Sequence, residues 1–266
     1  MSAENKNVND YATDYATVTL SSNHVATLCI RNAGSLNILG TPVIDGILEA
    51  LRWVEAQREI RVLVLRGDGD KAFIGGADIK EMAALDQHSA SVFIDKLRQL
   101  CEAVRQLSIP VLARIPGWTL GGGLEFALCC DLRIAATAAR LGMPEVKVGI
   151  PSVIHAALMP RLIGKSRATW LLLTGEIINA EQGLAWGLID RVVAPDQLDT
   201  EIARVANGLA ELGPKVLAQQ KRMMREWEDE PLDTSIRNSI GEFASAFKTG
   251  EPEFYMGKFL KEKGTR

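Results

Sequence analysis

Two short stretches of the chain set flexible backbone beside polar groups: Ala72-Phe73-Ile74-Gly75-Gly76-Ala77-Asp78-Ile79 and Leu120-Gly121-Gly122-Gly123-Leu124-Glu125. Glycine lets a ligand oxygen approach the main chain closely, and N–H groups left free at a helix start point toward an anion. A second glutamate, Glu145, follows Glu125 by 20 positions. Together these residues suggest a pocket in which main-chain N–H groups stabilise an enolate while two carboxylates move protons. Such chemistry needs neither a metal nor a redox cofactor. Each piece also has a plainer reading. A triple glycine is often only a turn or a packing site, Glu125 would complement the dipole of a helix that starts there, and Glu145 after Gly142-Met143-Pro144 would serve as a loop carboxylate or cap.

The elements that must hold these groups are legible in outline. Ala16 to Leu20 and His24 to Ile30 read as paired strands around the turn Ser21-Ser22-Asn23, and a helix is expected from Thr41-Pro42, with Thr41 as N-cap. Its apolar residues Val43, Ile44, Ile47, Leu48, Leu51 and Val54 recur at helical spacing. Ile60 to Leu65 reads as a buried strand, followed by an amphipathic helix from Ser89 to Leu107 and the strand Pro110 to Ile115. The glycine loop then opens a helix through Cys130, and Leu132 to Ala135 is the next strand. This alternation predicts an α/β core. From Pro195 strands stop, and helices are expected at Gln197 to Leu212, Lys215 to Glu228 and Leu232 to Phe247. The charged cluster Lys221-Arg222, Arg225 and Glu228-Asp229-Glu230 reads as a solvated helix face.

A chain of 266 residues with 47% apolar content can bury one large core, with or without an appendage. Its net charge of -3 argues against a nucleic-acid partner. No run of 18 apolar residues predicts a membrane span. The start, Met1 to Asp14, is polar and lacks the apolar stretch of a secretory signal, so a cytoplasmic protein is expected. Cys29, Cys101, Cys129 and Cys130 include no Cys-x-x-Cys pair and read as reduced thiols. His24, His88 and His155 lack metal-ligand spacing, so no metal is expected.

Three motifs fail on inspection. Gly67-Asp68-Gly69-Asp70-Lys71-Ala72 nominally fits a dinucleotide fingerprint, but its aspartates would meet the pyrophosphate, and an exposed turn is the better reading. Gly164-Lys165-Ser166 lacks the upstream glycine of a phosphate loop, since Met159 stands there. Ala168 breaks the nucleophile-elbow pattern.

In order along the chain, Ala72 to Met82, then Gly117 and Leu120-Gly121-Gly122-Gly123-Leu124-Glu125, Cys130-Asp131-Leu132-Arg133, and Leu141-Gly142-Met143-Pro144-Glu145 form a series. Leu173-Thr174-Gly175 and Ala185-Trp186-Gly187-Leu188-Ile189-Asp190 extend it. The series resembles the enoyl-CoA hydratase/isomerase family, also called the crotonase superfamily. The resemblance implies an α/β spiral of repeated ββα units over residues 1–194, carrying the active site, and a helical oligomerisation region over 195–266, in a homotrimer or homohexamer. It implies an acyl-CoA substrate, with coenzyme A as part of the thioester and no separate cofactor. By position, the N–H groups of Ala77 and Gly122 would form an oxyanion hole. Ala72, Gly75, Asp78, Ile79, Gly121 and Pro144 would contact substrate. Glu125 would deprotonate water, and Glu145 would deliver a proton to C2. Two glutamates favour hydration over isomerisation, hydrolysis or decarboxylation of an acyl-CoA. A non-catalytic RNA-binding or assembly role is the remote alternative. The loop Gly149-Ile150-Pro151-Ser152-Val153-Ile154-His155 replaces a glycine-rich one and is expected to border the acyl pocket, with His155 read as structural. Phe259-Leu260-Lys261-Glu262-Lys263 resembles the segment that contacts adenine and phosphate.

Overall fold

The computed structural model describes residues 10–264, so the polar start lies largely outside it, in residues 1–9. Seven strands form the larger sheet: β1 (Tyr11–Ala12), β2 (Ala16–Leu20), β3 (Val25–Ile30), β4 (Val62–Gly67), β6 (Val111–Ile115), β8 (Leu132–Ala136) and β11 (Arg191–Val193), side by side in that order. A smaller sheet holds β5 (Ala72–Ile74), β7 (Trp118–Leu120), β9 (Arg140–Gly142) and β10 (Ile177–Asn179). The helices are α1 (Thr41–Ala56), α2 (Ile79–Met82), α3 (Gln87–Gln106), α4 (Gly122–Leu128), α5 (Met159–Ile163), α6 (Lys165–Thr174), α7 (Ala180–Trp186), α8 (Leu198–Ala210), α9 (Pro214–Asp229), α10 (Leu232–Ala246) and α11 (Glu251–Gly264).

The pairs β4–β5, β6–β7 and β8–β9 each give one strand to each sheet before the chain turns into helical segments, which makes the spiral of ββα units. From β3 to β11 the larger sheet is parallel, with Leu63 opposite Val111 and Leu112 opposite Leu132. Parallel strands are covered on both faces, and strand alternation sorts their side chains accordingly. Leu63, Leu65, Val111, Ala113 and Ile115 join the main core with α1, α3 and α4. Val62, Val64, Leu112, Ile134 and Ala136 pack instead on Leu198, Ile202, Ala206 and Ala210 of α8.

Several boundaries differ from the sequence expectation. Thr41 is the first helical residue of α1 and Gly40 its N-cap; the free Thr41 N–H donates 2.8 Å to Glu81 Oε2, so a carboxylate from α2 does the capping. α3 begins at Gln87 because Asp86 and Ser89 form a capping box. Helix α11 was not expected. The cluster on α9 is only partly a solvated face: Lys221 is buried, with Nζ donating 2.7 Å to Asp131 Oδ2 and 2.9 Å to the Ile109 carbonyl. Its aliphatic stem spans the joint between α9 and the sheet, where its charge meets a partner that spacing along the chain cannot reveal. The Gly67 to Lys71 segment is a turn, exposed from Asp68 to Lys71, with Gly69 at φ +69°. Among the described residues no helix is long and apolar enough to cross a membrane.

Candidate active site

Strand β5 ends in Gly75-Gly76-Ala77. An isolated parallel bridge to Leu39 uses the Gly76 carbonyl (2.9 Å) and the Asp78 N–H (3.0 Å), which leaves the intervening Ala77 N–H outside that ladder. Asp78 then caps α2, accepting from the N–H groups of Lys80 and Glu81.

Strand β7 ends at Gly121, where the chain takes φ +52°, ψ -127° and turns into α4. The backbone angle favours glycine at 121, and a Cβ there, 2.5 Å from Glu145 Oε1, would displace the carboxylate. Gly123 packs equally tightly, since a Cβ there would stand 2.3 Å from the Ile74 carbonyl of β5. This close seating brings the start of α4 beside the end of β5. Gly122, the first residue of α4, has an N–H with no acceptor inside the helix. Among the described residues, neither it nor the Ala77 N–H is given to another group.

Glu125 sits one turn into α4 and is 3% exposed. Its Oε2 accepts from the His155 main-chain N–H at 3.2 Å. Burial, then the neighbouring Glu145 carboxylate, push its carboxyl up to about 8. Glu145 lies in a 3-10 turn, Pro144–Val148, and accepts from Ser152 Oγ at 2.9 Å; burial raises its carboxyl too. A Glu145 carboxylate so near disfavours ionisation of Glu125, so the titrations of the two are linked.

Both glutamates border one cavity of about 290 Å³. Of the residues singled out in the sequence, Gly75, Ala77, Ile79, Gly121, Gly122 and Pro144 line it, and so do Ile150, Pro151, Ser152 and Val153 of the loop expected to border it. Ala72 and Asp78 do not: Ala72 is buried in β5 with its carbonyl accepting from Asn37 Nδ2, and Asp78 is the α2 cap. The sequence reading missed Met82, Phe93, Ile94 and Leu97, which form an apolar wall. Met82 ends α2, while on α3 Phe93, Ile94 and Leu97 belong to the ordinary core stripe, and the bare glycine start of α4 leaves a space beside them. Ser152 was expected at the pocket as part of its loop, but nothing in the sequence marked its hydroxyl as the partner of Glu145.

His155 is buried, and its Nε2 lies 2.9 Å from Glu102 Oε1. Ile154 just before it is held at φ +40°, a strained value for a β-branched residue. A ring nitrogen of His155 and the sulfurs of Cys101 and Cys129 lie within 4.8 Å of one another. Spacing gave no hint of this cluster because α3, α4 and the turn after Val153 each supply one member. Burial pushes the Cys129 thiol well above its usual range, so it keeps its proton. All four cysteines are free.

The enoyl-CoA hydratase/isomerase family model matches residues 21–265. The chain is 32% identical over 243 residues to a crotonyl-CoA hydratase of Syntrophomonas wolfei, covering 90% of this chain and 92% of that protein. It is 34% identical over 216 residues to an (E)-benzylidenesuccinyl-CoA hydratase of Thauera aromatica, covering 81% and 84%. The crystal structure of an enoyl-CoA hydratase from Bacillus anthracis superposes with a TM-score of 0.86 at 30% identity over 96% of each chain. With the ordered motifs, the ββα spiral and the paired glutamates of one cavity, these matches establish that the chain belongs to the enoyl-CoA hydratase/isomerase family.

Proposed function

We propose that the protein is an enoyl-CoA hydratase, adding water reversibly to a 2-enoyl-CoA to give a 3-hydroxyacyl-CoA. One observation carries this reading: a buried glutamate, a half-buried one and two uncommitted main-chain N–H groups border the same cavity. The thioester oxygen sits between the N–H groups of Ala77 and Gly122, which are worth about 10² to 10³ in rate apiece as negative charge develops there. One carboxylate takes a proton from water as its oxygen bonds to C3, and the other gives a proton to C2. Each turnover leaves the pair with the same number of protons, and the one gained from water passes back to the other glutamate before the next cycle. We assign the water to Glu125 and the C2 proton to Glu145. Coenzyme A enters as part of the substrate. The apolar wall of Met82, Phe93, Ile94, Leu97 and Val153 suits a hydrocarbon acyl group.

The assembly we propose is a trimer or a pair of trimers in the cytoplasm. Leu232, Ile236, Ile240, Phe243 and Phe247 recur at helical spacing on one stretch of chain, and all are more than half exposed. Such a face on a single chain calls for a cover.

Glu125→Gln and Glu145→Gln should each lower crotonyl-CoA hydration by at least about 10². Parental rates in both variants would sink the assignment. Mass analysis of the product separates hydration, which adds one water and keeps the coenzyme, from isomerisation, hydrolysis or decarboxylation. A salt-sensitive RNA complex without acyl-CoA turnover would favour a binding role instead.

A further inference from the structure

The cavity raises a question that its own two glutamates leave open. A buried carboxyl with a second carboxylate beside it prefers to stay protonated, yet Glu125 has to be ionised to take a proton from water. Any group that steadies its anion must come from the wall behind it, away from the substrate.

That wall is the segment after Pro151. It brings the His155 main-chain N–H onto Glu125 Oε2, and reaching that position requires the positive φ of Ile154. A strained turn persists only where its surroundings over-determine it. Here the anchor is the His155 side chain, whose Nε2 meets Glu102 on α3. Glu102 is steadied in turn by Arg105 Nη1 at 3.5 Å, and Arg105 is bonded to Glu228 of α9. None of Glu102, His155 or Arg105 lines the cavity.

The charges around His155 can be followed element by element. From α3 come Glu102 and Arg105, with the Cys101 thiol. From α4 come Glu125 and the Cys129 thiol. Helix α5 brings only Arg161, which is exposed and turned toward Asp229. Glu145 acts from across the cavity on Glu125. Burial works against a charge on His155, and the Glu102 carboxylate 2.9 Å from Nε2 works for it. Against burial and Glu145, the hydrogen bond from the His155 main-chain N–H pulls the Glu125 carboxyl down, and any charge on the ring adds to it.

We propose that the Glu102–His155 pair is a positioning device for Glu125: locked to Glu102, the His155 ring holds the strained turn that delivers its main-chain N–H to the Glu125 carboxylate. This rests on the hydratase reading, in which Glu125 must ionise. His155 touches no substrate and acts through Glu125 alone.

The test compares pH profiles of crotonyl-CoA hydration for the parent, Glu102→Gln, His155→Gln, the double variant and Glu125→Gln. Loosening a donor that favours a carboxylate raises its pKa, so the acid limb of kcat/KM should move upward in both single variants, by about one pH unit. At pH 7 kcat should fall about tenfold with KM nearly unchanged, and the rate should recover as pH rises. Because the two residues act as one unit, the double variant should lose no more than His155→Gln alone. Glu102 is near the surface, so its variant keeps the test valid if His155→Gln folds poorly. A merely structural role would lower the rate without displacing the limb. If Glu102→Gln keeps the parental profile while Glu125→Gln is inactive, this proposal falls and the hydratase reading stands. If Glu125→Gln hydrates at the parental rate, the hydratase reading itself falls.

Discussion

The sheet core and the C-terminal helices solve the problem of apolar surface in opposite ways. In the core, Phe73 and Phe126 stack with centroids 6.2 Å apart, both fully buried, and nearly every large side chain of β4 to β8 finds a neighbour inside the same chain. On α9 and α10 the only residues classed as buried are Lys221 and Ser235, both polar, while Phe243 and Ile240 are each 72% exposed. The site needs rigid backing, since carboxylates and amides must be held in register, and the core supplies it from one polypeptide. The helices beyond α8 leave much of theirs on the surface of the chain. What joins the two regions is largely polar: Lys221 on Asp131, the Arg225 side chain on the Arg105 carbonyl, and Arg105 on Glu228.

The contrast can be broken most sharply by truncating one aromatic in each region. Phe73→Ala should cost about 3–5 kcal/mol in denaturant unfolding. Phe243→Ala should change the stability of an isolated protomer by no more than about 0.5 kcal/mol, yet shift assembly in sedimentation. Equal losses would mean that the α10 face is already covered. The joint comes next. Asp131→Asn strands a buried ammonium and should cost about 2 kcal/mol in urea unfolding, whereas Lys221→Met leaves a carboxylate that is partly exposed and still bonded to the Val111 N–H, and should cost only about 1 kcal/mol. A large cost for Lys221→Met would show that the pair itself holds α9 in place.

The smallest effect lies within the site. The folded Glu125 carboxyl binds its proton more tightly than the unfolded one, so the stability it supports is full below its ordinary pKa and is lost as pH rises toward about 8. Glu125→Gln removes that loss. Its Tm should match the parent near pH 4.5 and exceed it at pH 8, with a gain of about 1 kcal/mol. A difference that shrinks as pH rises would contradict the placement of Glu125 in a dehydrated pocket.

Much of this was legible before any coordinates. The strand at Ala16 to Leu20 and the end of strands near Pro195 agree with β2 and with the last strand, Arg191–Val193. These follow from alternation and helical period, which local residues dictate. Thr41 as N-cap failed because the competing carboxylate, Glu81, lies 40 positions away. Lys221 was misjudged for the same reason, its partner Asp131 being 90 positions distant. The cavity residues of α3 were hidden inside a core stripe.

The chain's own order of residues was enough to specify which groups could do chemistry: two glycine turns that free main-chain donors, two glutamates, and the motif series that marks the family. Tertiary structure alone decided their environment. Burial and mutual repulsion set where the Glu125 proton lies, and the packing of α3 on the turn after Val153 brought His155 and Glu102 behind it. Spacing cannot report either effect, because dielectric and charge proximity depend on distances in space between residues that the chain keeps far apart.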